Sequence, residues 1–426
     1  MRILIYGINY APEVVGSGKF TGEMAEWFAE QGHEVRVVVP PPYYPTWTVK
    51  KIYKTGYSCQ GMRGVKVYRC PIWVKRELTG WQRILHLLSF AISSFPVLIR
   101  QIFWRPEMVM AIEPSFVCVP AALLVAKICQ AKSWLHIQDF EIDAGFGLGM
   151  VPNIGWVRSS LLTLEKRLFE QFHQISTISE AMLAHLHSKG AAIKHAFLFP
   201  NWVDTTEIYP LPQSQSLRFS LGLSAEKVIV LYAGSIANKQ PLEHLLEAAK
   251  CLHLQSELHF IIAGEGPKKA SLMKLARSLN LKNVTFLPLL PVKAFNRLLS
   301  TADIHVLIQH NSLANFMMPS KLLGMMASGR PTIATAEANS AIASEISRSK
   351  GGICIPPNQP EKLISALQYL SNNIHERAVL GRNSRAYAEK HLSKEAILNN
   401  VCPLRQSAGN WPSSKISTSS SSTRNE

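Results

Sequence analysis

The sequence predicts an α/β protein of two doubly wound, Rossmann-like domains facing each other across a cleft. Three observations carry that reading. The chain has 426 residues, which suits two domains of about 200 residues each. Short apolar runs, unbroken rather than alternating, recur along both halves, as strands buried on both faces of a parallel sheet do. Most of these runs lead through a glycine-bearing or polar turn into a helical pattern, the rhythm of βαβ units.

In chain order, residues 3–6 (ILIY) are the first such run, and they read as a strand rather than a signal peptide. The following loop ends in Gly16-Ser17-Gly18-Lys19. Phe20, Met24, Trp27 and Phe28 then recur at helical spacing up to Gly32, and residues 35–39 form the next strand. Gly16 and Gly18 let a ligand approach a helix start. A triphosphate P-loop needs a glycine where Glu13 stands, so the loop is read as admitting a diphosphate or a polar acceptor. Residues 40–47 (PPPYYPTW) form an aromatic loop, a candidate binding wall through Tyr43, Tyr44 and Trp47.

Residues 81–103 are the most hydrophobic segment and about as long as a membrane span. Arg83, His86 and Arg100 interrupt it and Pro96 breaks it; a charge at a span's centre costs roughly 3 kcal/mol on insertion scales. Two readings stand. One is a helix lying in a membrane interface, with Trp81 and Trp104 flanking it and Lys75, Arg76, Arg83, Arg100 and Arg105 supplying charge for anionic lipid. The other is a core helix of a large α/β domain. Residues 108–112 and 133–137 are further strands, with a helix over 119–129 between them. Asp139 and Glu141 fall just past the second strand. Ligands of open α/β sheets bind there, so both are candidates for the chemistry. A helix over 154–172, a strand over 174–178, a helix capped by Ser179 and a strand over 196–199 complete the first half.

Polar, proline-bearing sequence around 204–220 places the domain link. Strands at 228–233, 258–263, 284–287, 304–308 and 332–336 follow, with a helix over 242–252. Three turns put glycine or lysine at strand ends: 234–239 with Lys239, 264–267 with Gly264 and Gly266, and 319–331 with Ser320 and Lys321. In the last, Ser320 opens a helix and Gly329 is placed to end it in the left-handed conformation. A helix start with unpaired N–H groups beside Lys321 makes a phosphate cradle. A helix over 383–390 closes the fold, and Ser-rich 407–426 is expected to be a disordered tail.

The net charge is +16, which points to anionic partners: nucleic acid, anionic lipid or phosphorylated substrates. No nucleic-acid module is recognisable, so nucleic acid is set aside. The seven cysteines are scattered without a CxxC pair. They suggest neither a zinc site nor a disulfide framework, and fit a reduced cytosolic compartment.

Eight segments, in order and spacing, resemble the GT-B glycosyltransferases of retaining family 4, most nearly the bacterial exopolysaccharide, colanic-acid-type members. They are YGINYAPEVVGSGKFTGEMAEWFAEQGHEV (6–35), PPYYPTW (41–47), LHIQDFEIDA (135–144), STISEAM (176–182), FPNWVD (199–204), YAGSIANKQPLEHLLEAA (232–249), IAGEGP (262–267) and PSKLLGMMASGRP (319–331). The resemblance implies an acceptor-binding domain over 1–203, with a helix near 385–402 packing back on it, and a nucleotide-sugar domain over 204–384. Residues 403–426 would be the tail.

The resemblance also implies roles. Lys239 and Lys321 would bind the donor diphosphate with Ser320, Gly264 and Gly266 would lie beside the base, and Gly16 and Gly18 would approach the transferred sugar and phosphates. Asp139 falls in the family's cleft acid region. The implied reaction is transfer with retention from a nucleotide-diphosphate sugar to a lipid-linked saccharide, by a protein peripheral to the inner face of the cytoplasmic membrane. Charge on the leaving diphosphate would be met by helix starts and lysines, with Asp139 or Glu141 near the oxocarbenium-like carbon. No Asp-x-Asp pair occurs, so no metal and no other cofactor is expected. The sequence departs from the family at three positions: Ser235 replaces an arginine, and Gly324 and Phe316 replace a pair of glutamates, for which nearby Glu337 is a candidate substitute. These departures keep two alternatives in view, a catalytically inactive GT-B partner protein and a nucleotide-sugar epimerase.

Overall fold

The computed structural model describes residues 1–400 except 14, 15, 45, 54, 55, 77, 79, 148–153, 191–194, 238, 239, 255, 256 and 309–319. In the first half the order is β1 (Arg2–Tyr6), α1 (Ser17–Glu30), β2 (Glu34–Val39), β3 (Ser58–Met62), β4 (Val65–Arg69), α2 (Gly80–Trp104), β5 (Met108–Glu113), α3 (Val119–Cys129) and β6 (Lys132–Ile137). Then come α4 (Glu141–Gly147), α5 (Gly155–Phe169), β7 (Gln174–Thr177), α6 (Glu180–Ser188) and β8 (Ala196–Leu198). The second half opens with β9 (Val228–Ala233), α7 (Glu243–Cys251), β10 (Leu258–Ala263), α8 (Lys269–Ser278), β11 (Val284–Leu287), α9 (Val292–Leu299) and β12 (Ile304–Ile308). It continues with α10 (Ser320–Ala327), β13 (Thr332–Thr335), α11 (Ala341–Ser349), β14 (Gly352–Ile355), α12 (Pro360–Asn372), α13 (Ile374–Tyr387) and α14 (Lys394–Asn400).

The eight strands of the first half form one sheet in the order β3-β4-β2-β1-β5-β6-β7-β8, and the six of the second form another, β11-β10-β9-β12-β13-β14. All pairings are parallel except β3 with β4. This explains the unbroken apolar runs, because each strand is covered on both faces. In β1, Ile3 and Ile5 face Phe20, Met24 and Phe28 of α1. Leu4 and Tyr6 face Phe90 and Leu98 of α2 and Ala122 of α3.

The β3–β4 hairpin was not expected from the sequence. It turns at Arg63 and Gly64, both with positive φ (45° and 80°), without the Asn-Gly or Asp-Gly pair that announces such a turn. The helix expected over 383–390 is corrected as well. It is α13, starting at Ile374, followed by a π-helical turn over Ala388–Leu392. It carries little apolar stripe because it packs through small residues. A Cβ on Gly381 would lie 2.4 Å from Gly329 O, and Ser384 Oγ donates to Gly351 O at 2.9 Å. Ser179 does cap α6, accepting from Met182 N at 3.2 Å, and Gly329 ends α10 with φ 67°.

The chain passes twice between the two sheets, and the passages run side by side. Val203 N donates to Leu392 O at 2.9 Å and Lys394 N to Val203 O at 3.0 Å. Beyond this ladder α14 turns back onto the first half, where Ile397 and Leu398 are buried with Ile3, Phe20 and Trp202. Trp202 is fixed there by Nε1 donating to Glu23 Oε2 at 2.6 Å and by the edge of Phe20. Leu398→Ala is therefore expected to cost the first half about 2–5 kcal/mol. Hydrogen exchange should show it as faster opening of α1 amides; unchanged exchange there would mean that α14 adds nothing to that core.

Candidate active site

In the second sheet the strand order reverses between β9 and β12, and a ligand crevice opens at such a switch point, beyond the carboxyl ends. The loop after β9 and the amino end of α10 meet there. A Cβ on Gly234 would lie 2.3 Å from both Cε and Nζ of Lys321, so only glycine leaves the lysine its place. The neighbouring turn is as close. Cβ atoms on Gly264 and Gly266 would lie 1.8 Å from Gly234 O and 2.1 Å from Ile236 O. Two backbone bonds join the turns, Gly234 N to Ala263 O and Ile236 N to Glu265 O, each 2.9 Å. Gly234, Gly264, Gly266 and Lys321 thus share one sheet edge, with Ser320 exposed in the first turn of α10.

Half-buried Lys321 donates from Nζ to Tyr232 Oη at 3.2 Å and sits 5.1 Å over the same ring. Tyr232 Oη donates onward to Ser235 O at 2.6 Å. Burial pushes the ammonium down to about 8. A cation so placed attracts an anion, and the first turn of a helix supports that charge. Lys239 and Phe316 lie outside the described residues. Glu337 follows β13, half-buried, its carbonyl accepting from Ser340 N at 3.0 Å. Gly324 is covered by α9: a Cβ there would lie 3.3 Å from Leu299 Cδ1 and 3.7 Å from Phe295 Cε1. A side chain there would press on Leu299, whose side chain would have to give way slightly.

On the first sheet, Gly16 (φ 70°) precedes α1, and its Cβ position is 3.6 Å from Tyr44 Cε1. Glu13, weighed in the sequence only as a break in a P-loop pattern, is the organiser here. It is buried, and its carboxylate accepts from Asn9 Nδ2 at 2.9 Å and from Tyr43 N and Tyr44 N at 3.1 Å each. Burial raises its carboxyl, against these hydrogen bonds. Gly18 makes the room, since a Cβ there would lie 2.7 Å from Glu13 Oε2. The aromatic loop is then pinned to α2. His86 Nδ1 lies 2.6 Å from Trp73 O, a carbonyl that can only accept, so Nδ1 carries the proton. Nε2 is left to accept from Tyr43 Oη at 3.2 Å, and burial, lowering the pKa of His86, favours this neutral form. Trp47 packs on both rings, with Arg83 5.6 Å over it. Tyr44 remains exposed.

The acids lie along the same sheet edge. Asp139 is half-buried between β6 and α4. Glu141 Oε2 accepts from Phe116 N at 2.5 Å, holding the turn after β5, and burial raises its carboxyl. Asp143 is taken up by Lys189 at 2.7 Å and His185 at 3.0 Å. Glu113, where the apolar run of β5 ends, was not singled out in the sequence. It is fully buried and held well above the usual carboxyl range, by desolvation and then by Glu165 and Glu141.

Two facing doubly wound domains of this kind are the GT-B architecture. Residues 15–202 match the family described as a glycosyl transferase 4-like domain, and residues 213–387 the glycosyl transferases group 1. WcaI of Escherichia coli K12, named as a colanic acid biosynthesis glycosyl transferase, is 37% identical over 406 residues, covering 93% of this chain and 98% of WcaI. WbjE of Pseudomonas aeruginosa, a glycosyltransferase by name, is 24% identical over 57% of this chain and 62% of its own. Among solved structures, sucrose-phosphate synthase of Thermosynechococcus elongatus superposes with a TM-score of 0.73 at 16% identity, covering 94% and 97% of the two chains. Anabaena HepE in complex with UDP gives 0.67 at 14%, covering 94% and 98%. The chain belongs to the GT-B glycosyltransferases built from a 4-like and a group 1 domain, and stands close to a colanic acid biosynthesis member.

An anion bound at Lys321 is expected to bind in a pH-dependent way. Its ammonium is charged below about 8 and lost above it, so affinity is full at lower pH and falls as pH rises. Titration calorimetry with UDP should show binding weakening by about tenfold per pH unit above that value, with proton uptake. A Kd unchanged up to pH 10 would remove Lys321 from the anion site.

Proposed function

We propose that the chain transfers a sugar from a nucleoside-diphosphate donor to a lipid-linked saccharide, with retention of configuration, in exopolysaccharide assembly at an anionic membrane surface. The observation that carries the donor is Lys321, a cation whose described neighbours bring it no carboxylate, held at a switch point beside a helix start. HepE, of like fold, has been solved with UDP and with UDP-glucose. In the reaction the bond from the anomeric carbon to the donor oxygen breaks and its electron pair stays on the diphosphate. The Lys321 ammonium, the N–H groups of α10 and Lys239 stabilise that charge as it develops. The acceptor hydroxyl oxygen forms the new bond to that carbon, and its proton goes to the oxygen of the departing diphosphate. Asp139 is the candidate carboxylate near the positive carbon; Glu141, committed to Phe116 N, holds the turn beside it. Retention is supported by the family 4 motifs, and a metal-free reaction by lysines in the role a cation would fill.

The acceptor's lipid has a matching surface in α2, the one described helix long and apolar enough to cross a membrane. Its inner face, with Phe90 and Leu98, is used against the sheet. Its outer face exposes Trp81, Ile84, Leu88, Ile92, Ile99 and Phe103 at helical spacing, Ile92 to 72% and Phe103 to 83%. Lys75, Arg76, Arg100 and Arg105 lie exposed around it. An apolar stripe with a basic border lies in an anionic interface rather than across it. The aromatic wall of Tyr43 and Trp47 rests on the same helix through His86, near where a saccharide on a membrane anchor would emerge.

A panel of UDP-, GDP- and ADP-sugars with a membrane fraction as acceptor, run with and without EDTA, tests the reaction. Product is expected with one donor, unaffected by EDTA, and Lys321→Ala should lower kcat/KM by about 10²–10³-fold. Transfer that vanishes in EDTA would overturn the metal-free step. Glycine at 324, in place of the family's glutamate, favours a second reading, the inactive partner protein; nucleotide binding without transfer from any donor would support it. In flotation, phosphatidylglycerol vesicles should carry the protein and phosphatidylcholine vesicles should not. Ile92→Glu with Phe103→Glu should weaken partitioning at least about tenfold, and unchanged flotation would remove α2 from the contact.

A further inference from the structure

The helix that carries Lys321 is also the element packed against the crossover between the two halves. Leu322, Met325 and Met326 of α10 are buried in one cluster with Val203, Ala388 and Leu392, which come from the two passages of the chain. At the far end of α10 a single side chain gathers the same parts. Arg385 Nη1 donates to Ala327 O at 2.8 Å and to Ile208 O at 2.7 Å, Nη2 to Thr205 O at 3.1 Å, and Nε to Glu389 Oε1 at 2.7 Å. Ala327 ends α10, Thr205 and Ile208 follow the first passage, and Glu389 lies in the π-helical turn that leads into the second. The packing leaves no slack, since a Cβ on Gly329 would lie 2.7 Å from Pro210 Cγ and 3.6 Å from Arg385 Cβ.

We propose that Arg385 is a positioning residue that couples occupancy of the donor site at the amino end of α10 to the relative placement of the two halves. The coupling rests on the donor reading above. An eight-residue helix is a rod of about 12 Å, short and stiff enough that a shift at Lys321 moves the carbonyl of Ala327. The guanidinium passes that shift to both passages at once, because its planar fork engages all of them. A single-turn π-helix is a common place for a helix to adjust. Among the described residues, the exposed pair Arg348–Glu180, 2.5 Å, spans the cleft. An exposed pair of that kind contributes little, too little to hold the halves against a bound donor.

The experiment combines calorimetry with UDP, GDP and ADP, small-angle scattering with and without the nucleotide that binds, and transfer kinetics, on the full chain. The wild type is expected to bind one nucleotide and to become more compact. Arg385→Gln should bind it within about twofold of the wild-type Kd, fail to become compact, and lose about tenfold or more in kcat with donor KM little changed. Arg385→Lys should resemble it, and Glu389→Gln, which frees the guanidinium from an exposed partner, should fall between. The last two serve if Arg385→Gln does not fold. The proposal is overturned if the wild type binds nucleotide without compaction, if the variants become as compact as the wild type, or if nucleotide affinity falls in step with kcat. A wild type that binds none of the three nucleotides fails differently, by removing the donor reading itself.

Discussion

The structure of the second half depends on keeping one lysine charged in a place that disfavours charge. Burial lowers Lys321 to about 8, and a tyrosine ring and hydroxyl are the contacts that receive its ammonium. Desolvating a cation is costly, no carboxylate is in contact with this one among the described residues, and the surrounding chain is shaped by that placement. Gly234 is bare so that the lysine can lie across it, and Gly264 and Gly266 are bare so that the next turn can close behind. The helix carrying it is buried along most of its length, which holds the ammonium in place when no anion is present. For the diphosphate proposed above, a partly desolvated cation is the kind of group whose electrostatic stabilisation exceeds that in water.

The first half solves a different problem, holding an aromatic wall steady on a loop. It uses a buried carboxylate and a neutral histidine. Glu13 joins the loop after β1 to the backbone of Tyr43 and Tyr44, and His86 joins Tyr43 to α2 with a fixed tautomer. One helix therefore covers the sheet with its inner face, supports the wall at its amino end, and leaves an apolar stripe outside. The core-helix reading of this segment holds for its inner face, while its outer face is exposed.

Much of the fold was legible because parallel strands buried on both faces leave unbroken apolar runs, and because α1 keeps a clean helical period. The shared edge of Gly234, Gly264, Gly266 and Lys321 was legible in local chemistry: glycines at strand ends, and a lysine one residue into a helix. What escaped the sequence depends on tertiary partners. The β3–β4 hairpin lacks a typical turn pair. The helix α13 packs by small residues and so shows no stripe. Glu13, Glu113 and Arg385 have roles created by groups about 30 to 180 positions away, and no local pattern marks them. The absence of the family's glutamate at Gly324 was visible, but the neighbours of that position, Leu299 and Phe295, were not.

The most direct measurement is a crystal structure of the chain with its nucleoside diphosphate bound. A phosphate oxygen is expected at about 2.7–2.9 Å from Lys321 Nζ, at the amino end of α10, with the ammonium drawn away from Tyr232. A nucleotide bound elsewhere, or bound with Lys321 still resting on Tyr232 and no phosphate within reach, would contradict the central claim that this buried lysine is the diphosphate anchor.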